Sequence, residues 1–192
     1  MSTPLELTPF LEPLAAVHRL LARFGDEGMI IGGLAASLLG SPRLTADVDA
    51  VILLSVTELP ELVRAAEQEG FTTRIEDAEE FARRNRVLLL RHRGSGINVD
   101  MSLGILPFEV EAVKRSVVRK IGELTLRLPT AEDLIIFKAV AHRPQDLLDI
   151  RALIEINPNL DRTRIKHWVV EFARALDMPE LWNDIADSLP GA

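Results

Sequence analysis

Apolar residues recur at helical spacing over residues 9 to 24, at Phe10, Leu14, Val17, Leu20, Leu21 and Phe24. That spacing predicts an amphipathic helix with one buried stripe. Gly25 and Gly28 break it. Residues 29–31 are continuously apolar and read as a short buried strand stopped at Gly32-Gly33. A short helix is expected over residues 34–39, ending at Gly40. A loop over 41–46 then leads to a second, mostly apolar strand over 48–54. Thr57 is the expected N-cap of the next helix, with Pro60 in its first turn and Gly70 after its last. Residues 71–74 read as an edge strand and residues 76–84 as a charged helix or loop. Strands over 86–93 and 97–103 are joined by Gly94-Ser95-Gly96, which predicts a hairpin. A helix over 108–115 and short strands over 117–120 and 124–128 follow.

Beyond Pro129 the pattern becomes helical throughout. Thr130 with Asp133 makes a start of the capping-box kind, with Asp where Glu or Gln is usual. Helices are expected over 131–142, 144–156, 161–175 and 178–189. The fold class is therefore α+β. Residues 1–129 form an α/β half with the first helix at its N-terminus, and residues 130–192 form a C-terminal helical bundle expected to pack on the cleft that carries the site. Trp168 and Trp182 fall at helical positions and read as core.

Composition narrows the class. Of 192 residues, 47% are hydrophobic and 27% charged, a globular balance. No apolar run is long enough for a transmembrane helix. The first twelve residues carry acid before their apolar positions, unlike a secretory signal. There is no cysteine, so no disulfide, thiolate–zinc site or thiol nucleophile. A cytoplasmic protein is the simplest expectation. The net charge of −7 argues against broad binding to a nucleic-acid backbone. A local basic groove would have to come from Arg83, Arg84, Arg86, Arg91 and Arg93, or from Lys114, Arg115, Arg119 and Lys120. Either cluster reads equally well as a solvated charged face.

The chemistry points to carboxylates. Asp47 and Asp49 are two apart at the mouth of a strand, so their side chains share a face. Two adjacent carboxylates repel each other unless a cation lies between them, and Mg2+ typically joins one or two carboxylates to substrate phosphates. Alone, such a pair is a weak signal. The upstream Gly32-Gly33 turn lets backbone amides approach a phosphate. Asp100 stands alone in an apolar strand and needs a partner or a metal. Arg43 and Thr45, just before the pair, offer a guanidinium and a hydroxyl suited to phosphate.

The stretch Ile31-Gly32-Gly33, then Arg43-x-Thr45-x-Asp47-x-Asp49, then Val99-Asp100-Met101, resembles the polymerase-β-type nucleotidyltransferases. Gly-Gly replaces their alternative Gly-Ser, so a hydroxyl from Ser37 or Ser41 is the candidate substitute. The segment from Thr130 to Ile150, with Lys138, Ala141, Arg143, Asp146 and Asp149, is similar to the last motif of the AbiEii/AbiGii toxin-like nucleotidyltransferases, with Gln145 where a basic residue is usual. The resemblance implies a nucleotidyltransferase-like mixed sheet. It also implies a nucleoside triphosphate substrate attacked at its α-phosphate, with Mg2+ or Mn2+ as cofactor. Asp47 and Asp49 would ligate the metals. Asp100 would ligate the metal at the nucleophile and accept its proton. Gly32 and Gly33 would cradle the triphosphate, and Lys138 would neutralise charge developing on the phosphates.

Asp146 would position Lys138 or Arg143, touch substrate, or simply complement a helix dipole. Asp149 reads as structural. Arg43 and Arg143 each bind phosphate or pair with acids. His142, one turn beyond Lys138, reads as a packing or surface residue. The subgroup implies an RNA acceptor such as a tRNA 3′ end, a toxin's role and an antitoxin protein as partner. Two alternatives stay open: a nucleotide- or protein-binding module that has lost catalysis, and a small-molecule, antibiotic-type nucleotidyltransferase.

Overall fold

The computed structural model describes residues 5–40 and 45–189. A 3-10 segment, Leu5–Phe10, leads into α1, Leu11–Arg23, which buries Leu14, Val17, Leu20 and Leu21 as its spacing predicts. Then follow β1 (Gly28–Ile31), α2 (Gly32–Leu38), β2 (Asp47–Leu53), α3 (Leu59–Gln68), β3 (Phe71–Thr73), α4 (Ala78–Asn85), β4 (Val87–His92) and β5 (Asn98–Gly104). After α5 (Pro107–Arg115) come β6 (Val117–Ile121) and β7 (Leu124–Leu128). Four helices close the described chain: α6 (Ala131–Ala141), α7 (Pro144–Ile156), α8 (Arg162–Leu176) and α9 (Glu180–Ala186).

Five strands form one mixed sheet in the order β1-β2-β5-β4-β3, while β6 and β7 pair separately. Among the described residues only β2 and β5 pair in parallel, and the other neighbours are antiparallel. Strands β4 and β5 alternate strictly. Leu88, Leu90 and His92 are buried with Val99, Met101 and Leu103, while Leu89, Asn98, Asp100 and Ser102 are only partly buried and Arg91 is exposed. That is the signature of a sheet with one face on the core and one face open. β3 is the edge strand expected. The Gly94–Gly96 turn joins β4 to β5, and Gly96 N donates to the His92 carbonyl at 2.8 Å.

The C-terminal helices join this core through aromatic side chains. Phe108 of α5 lies 4.8 Å from Phe137 of α6, 5.4 Å from Trp168 and 5.7 Å from Phe172, both of α8, between ring centroids. Fully burying one such side chain contributes about 1.5–3 kcal/mol. α6 also packs on α2, which brings the helical region to the sheet edge carrying the glycine turn. Among the described residues no helix is long and apolar enough to cross a membrane.

Three local expectations change. The N-cap of α3 is Glu58, not Thr57, because the Thr57 hydroxyl is taken by Ser55 at 2.9 Å and the Glu58 carboxylate accepts from Ser55 N. α2 begins at Gly32 itself, directly from β1. Thr130 does cap α6 through Asp133 N at 3.2 Å, but the Asp133 carboxylate does not close the box. It is fully buried and bridges Arg115 and Arg164 at 3.2 and 2.8 Å.

Candidate active site

The parallel register of β2 on β5 sets Asp49 directly beside Asp100 and Asp47 beside Asn98. Registered neighbours point to the same face, so all three carboxylates emerge on the open side of the sheet. On the other flank β1 puts Ile31 opposite Asp49, and the chain then turns into α2 against that carboxylate. Gly32 has φ +70°, and a Cβ there would lie 1.9 Å from Asp49 Oδ2. Both the backbone angle and the contact demand glycine. Gly33 N–H donates to the Asp49 carboxylate. Thr45 donates its hydroxyl to Asp47 Oδ1 at 3.2 Å.

Gly32→Ala is therefore expected to destabilise the protein by at least about 1–2 kcal/mol, the cost of a left-handed non-glycine residue, and to displace Asp49. Denaturant unfolding with a parallel metal titration checks both effects. An alanine variant with unchanged stability and metal affinity would show that the turn has other freedom.

The electrostatics match the crowding. Burial, then the charges of Asp47 and Asp100, push Asp49 up to about 6, against partial relief from Arg143 and the Gly33 amide. Burial and Asp47 also raise Asp100, while Arg74 pulls it down. Arg74, just past β3, makes an ion pair with Asp100. Among the described residues no three acidic or imidazole side chains are gathered tightly enough to enclose an ion. The donor set still fits a divalent metal: two carboxylates on β2, a third in register, and a charge repulsion that a cation would relieve.

The last motif divides into two parts. Arg143, at the N-cap of α7, is largely exposed and close enough to Asp47 and Asp49 for their charges to raise its pKa, after the larger effect of its bond to Asp146. Asp146 Oδ2 accepts from Arg143 Nε at 2.7 Å and from its backbone N at 3.2 Å. Lys138 is 2% exposed, and its ammonium donates to Asp146 Oδ1 at 3.1 Å and Asp149 Oδ2 at 2.6 Å. Gln145 donates to the other oxygen of Asp149 at 3.2 Å. Burial alone would raise Asp146, but the bonds from Arg143 and Lys138 outweigh it and hold this carboxyl below its ordinary value. Lys138 is thus linked to the mouth of the site through Asp146 and Arg143. His142 sits 3.1 Å from Asp184.

Ser37 is half-buried on α2, one turn beyond Gly33. Arg43 and Ser41 lie outside the described residues. The residue that sequence reasoning missed is Arg74. It ends an edge strand, and only the register of β3, β4 and β5 reveals that it faces Asp100. The basic cluster over 83–93 is largely spent on structure. Arg83 and Arg84 pair with Glu79 and Glu80, Arg86 donates to the Leu103 carbonyl, and Arg93 donates to the Glu67 carbonyl.

Comparison with known proteins agrees with the fold. The antibiotic-resistance factor ANT(2'')-Ia superposes with a TM-score of 0.55 at 17% identity, over 88% of this chain and 95% of its own. An antigenic nucleotidyltransferase-like protein from Paracoccidioides brasiliensis gives 0.53 at 16% identity, over 98% of this chain and 94% of its own. No curated protein matches the chain. The family described as nucleotidyl transferase of unknown function (DUF2204) matches residues 10–178. With the glycine turn, the paired aspartates and the third strand acid inside that span, the chain belongs to this nucleotidyl transferase family.

Proposed function

We propose that the protein is a divalent-metal-dependent nucleotidyltransferase that moves a nucleoside monophosphate from a nucleoside triphosphate to an acceptor hydroxyl, with release of pyrophosphate. The observation that carries this is the crowding of Asp47, Asp49 and Asp100 on one open sheet face, which leaves Asp49 titrating near 6. Such a cluster is costly to keep without a cation and useful with one. Mg2+ or Mn2+ held there would screen the triphosphate and acidify the attacking hydroxyl.

The chain's own residues supply the rest. The Gly32–Gly33 turn receives the phosphates beside the Asp49 carboxylate, and Thr45 orients Asp47. Arg143 meets phosphate oxygens from the opposite wall, and Asp146 keeps its guanidinium aimed, with Lys138 holding Asp146 in turn. Asp100 takes the acceptor's proton. Ser37 and Arg43 complete the triphosphate contacts. Residues 1–129 carry the carboxylates and residues 130–192 the wall that Arg143 caps.

For the acceptor we favour RNA, as the AbiEii/AbiGii-like motif from Lys138 to Asp149 suggests. An antitoxin partner and a cytoplasmic setting belong to the same reading. The alternative is a small-molecule acceptor, for which the fold likeness to the resistance factor ANT(2'')-Ia is the support. The test uses each α-labelled nucleoside triphosphate with Mg2+ and either total tRNA or a panel of small hydroxyl compounds. Transfer by the wild type that disappears in Asp47→Asn is the expected result. Failure of the wild type to bind any triphosphate in a metal-dependent way would overturn the proposal.

A further inference from the structure

Two rows of side chains cross the open face of the sheet. One runs Asp49, Asp100, Leu89, Arg74; the other runs Asp47, Asn98, Arg91, Thr72. The face is therefore polarised, with carboxylates on β2 and guanidiniums on β3 and β4, and Asp100 at the junction. Arg91 is exposed, and its one side-chain bond in this row is to neutral Asn98, Nε to Oδ1 at 3.1 Å. Unlike Arg83, Arg84, Arg86 and Arg93, it is not committed to another acid or carbonyl among the described residues. Arg74 is held by Asp100 across the neighbouring strand. Arg74 and Arg91 thus place two guanidiniums side by side on the strands next to Asp100.

We propose that Arg74 and Arg91 form the acceptor subsite and that it recognises a phosphate group next to the accepting hydroxyl. This rests on the nucleotidyltransferase reading. A hydroxyl presented to Asp100 leaves its neighbouring groups over β4 and β3, one or two strand spacings away, about 5–10 Å. Phosphate suits the planar donor fork of arginine, which can give it two parallel N–H bonds. In the metal-free protein Arg74 serves as counter-ion to Asp100. With Asp100 holding a divalent ion instead, the Arg74 guanidinium would be free to turn toward the acceptor. A cationic acceptor would meet two positive charges here and be disfavoured.

The test compares wild type, Arg74→Gln and Arg91→Gln in the presence of Mn2+. The probes are a short single-stranded RNA with a free 3′ hydroxyl, a free nucleoside monophosphate, and a polycationic aminoglycoside. Arg91→Gln alters an exposed side chain, so it keeps the test valid if Arg74→Gln unfolds. Each variant should weaken RNA binding about tenfold and lower the slope of log affinity against log salt by about 1. A purely structural role would not change that slope. Equal losses for the monophosphate would identify a free nucleotide as the source of the phosphate; losses for RNA alone would identify a strand end. Both outcomes support the subsite. Unchanged affinity and slope in both variants, with Mn2+-dependent triphosphate binding intact, would overturn the subsite alone. Tighter transfer to the aminoglycoside than to either phosphate compound would overturn it as well. Absence of triphosphate binding in the wild type would instead remove the underlying reading.

Discussion

Asp49→Asn should make the metal-free protein more stable at pH 7 while cutting nucleotidyl transfer by at least about 10²–10³-fold, the scale seen when one preorganised electrostatic partner is lost. The carboxyl titrates near 6 in the fold against 3.8 for an ordinary aspartate. An acid whose folded pKa is raised holds its proton more tightly folded than unfolded. Its charge therefore destabilises the fold above about pH 6, and the penalty fades as pH falls from 6 toward 4. At about 1.4 kcal/mol per pKa unit the penalty is about 3 kcal/mol, an upper figure. Asparagine keeps the shape and removes the charge. The variant should unfold at higher denaturant at pH 7, and its advantage should shrink toward pH 4. Saturating Mg2+ or Mn2+ should reverse the order, because an ion that binds only the folded wild type adds about 2.7 kcal/mol at a hundredfold excess over Kd. An asparagine variant less stable than wild type at pH 7 without metal would contradict the charge crowding.

That result would separate two things that sequence pattern cannot. The order of elements was legible because each is short and sharply punctuated: glycines at 25, 28, 40 and 70, the Gly94–Gly96 turn, and alternation in β4 and β5. The aspartate pair was legible because a period of 2 fixes its shared face. The partner of Asp100 was not, since it depends on an edge strand from elsewhere in the chain falling into register with β4. The fate of Lys138 was hidden for a similar reason. Its spacing to Asp146 and Asp149 crosses the bend between α6 and α7, where His142 adopts a left-handed φ of 51°. Only that bend folds the ammonium back between the two carboxylates. Likewise Asp133 looked like a capping residue because capping is a local rule, whereas Arg115 and Arg164 reach it from distant elements.

Lys138→Met is expected to be the most damaging single change outside the carboxylates, by about 3–5 kcal/mol, the range for removing one partner of a buried ion pair. Asp146 and Asp149 are 2% and 1% exposed and would both lose the ammonium they share. Asp146 would keep Arg143, and Asp149 would keep the neutral Gln145 amide. Without the ammonium Asp146 would hold its proton more tightly in the fold, so the loss should be smaller at pH 5 than at pH 8, and urea midpoints at the two values measure it. Adding Asp149→Leu to Lys138→Met should recover a substantial part, since a well-packed apolar pair can equal a buried ionic one. The double variant also separates the two roles open to Lys138. If the lysine acts by holding Asp146 and so aiming Arg143, the refolded double variant should bind triphosphate more weakly, and Arg143→Gln added to it should cost little more. If Lys138 met the phosphates itself, the two losses would add, because contacts made independently contribute independently.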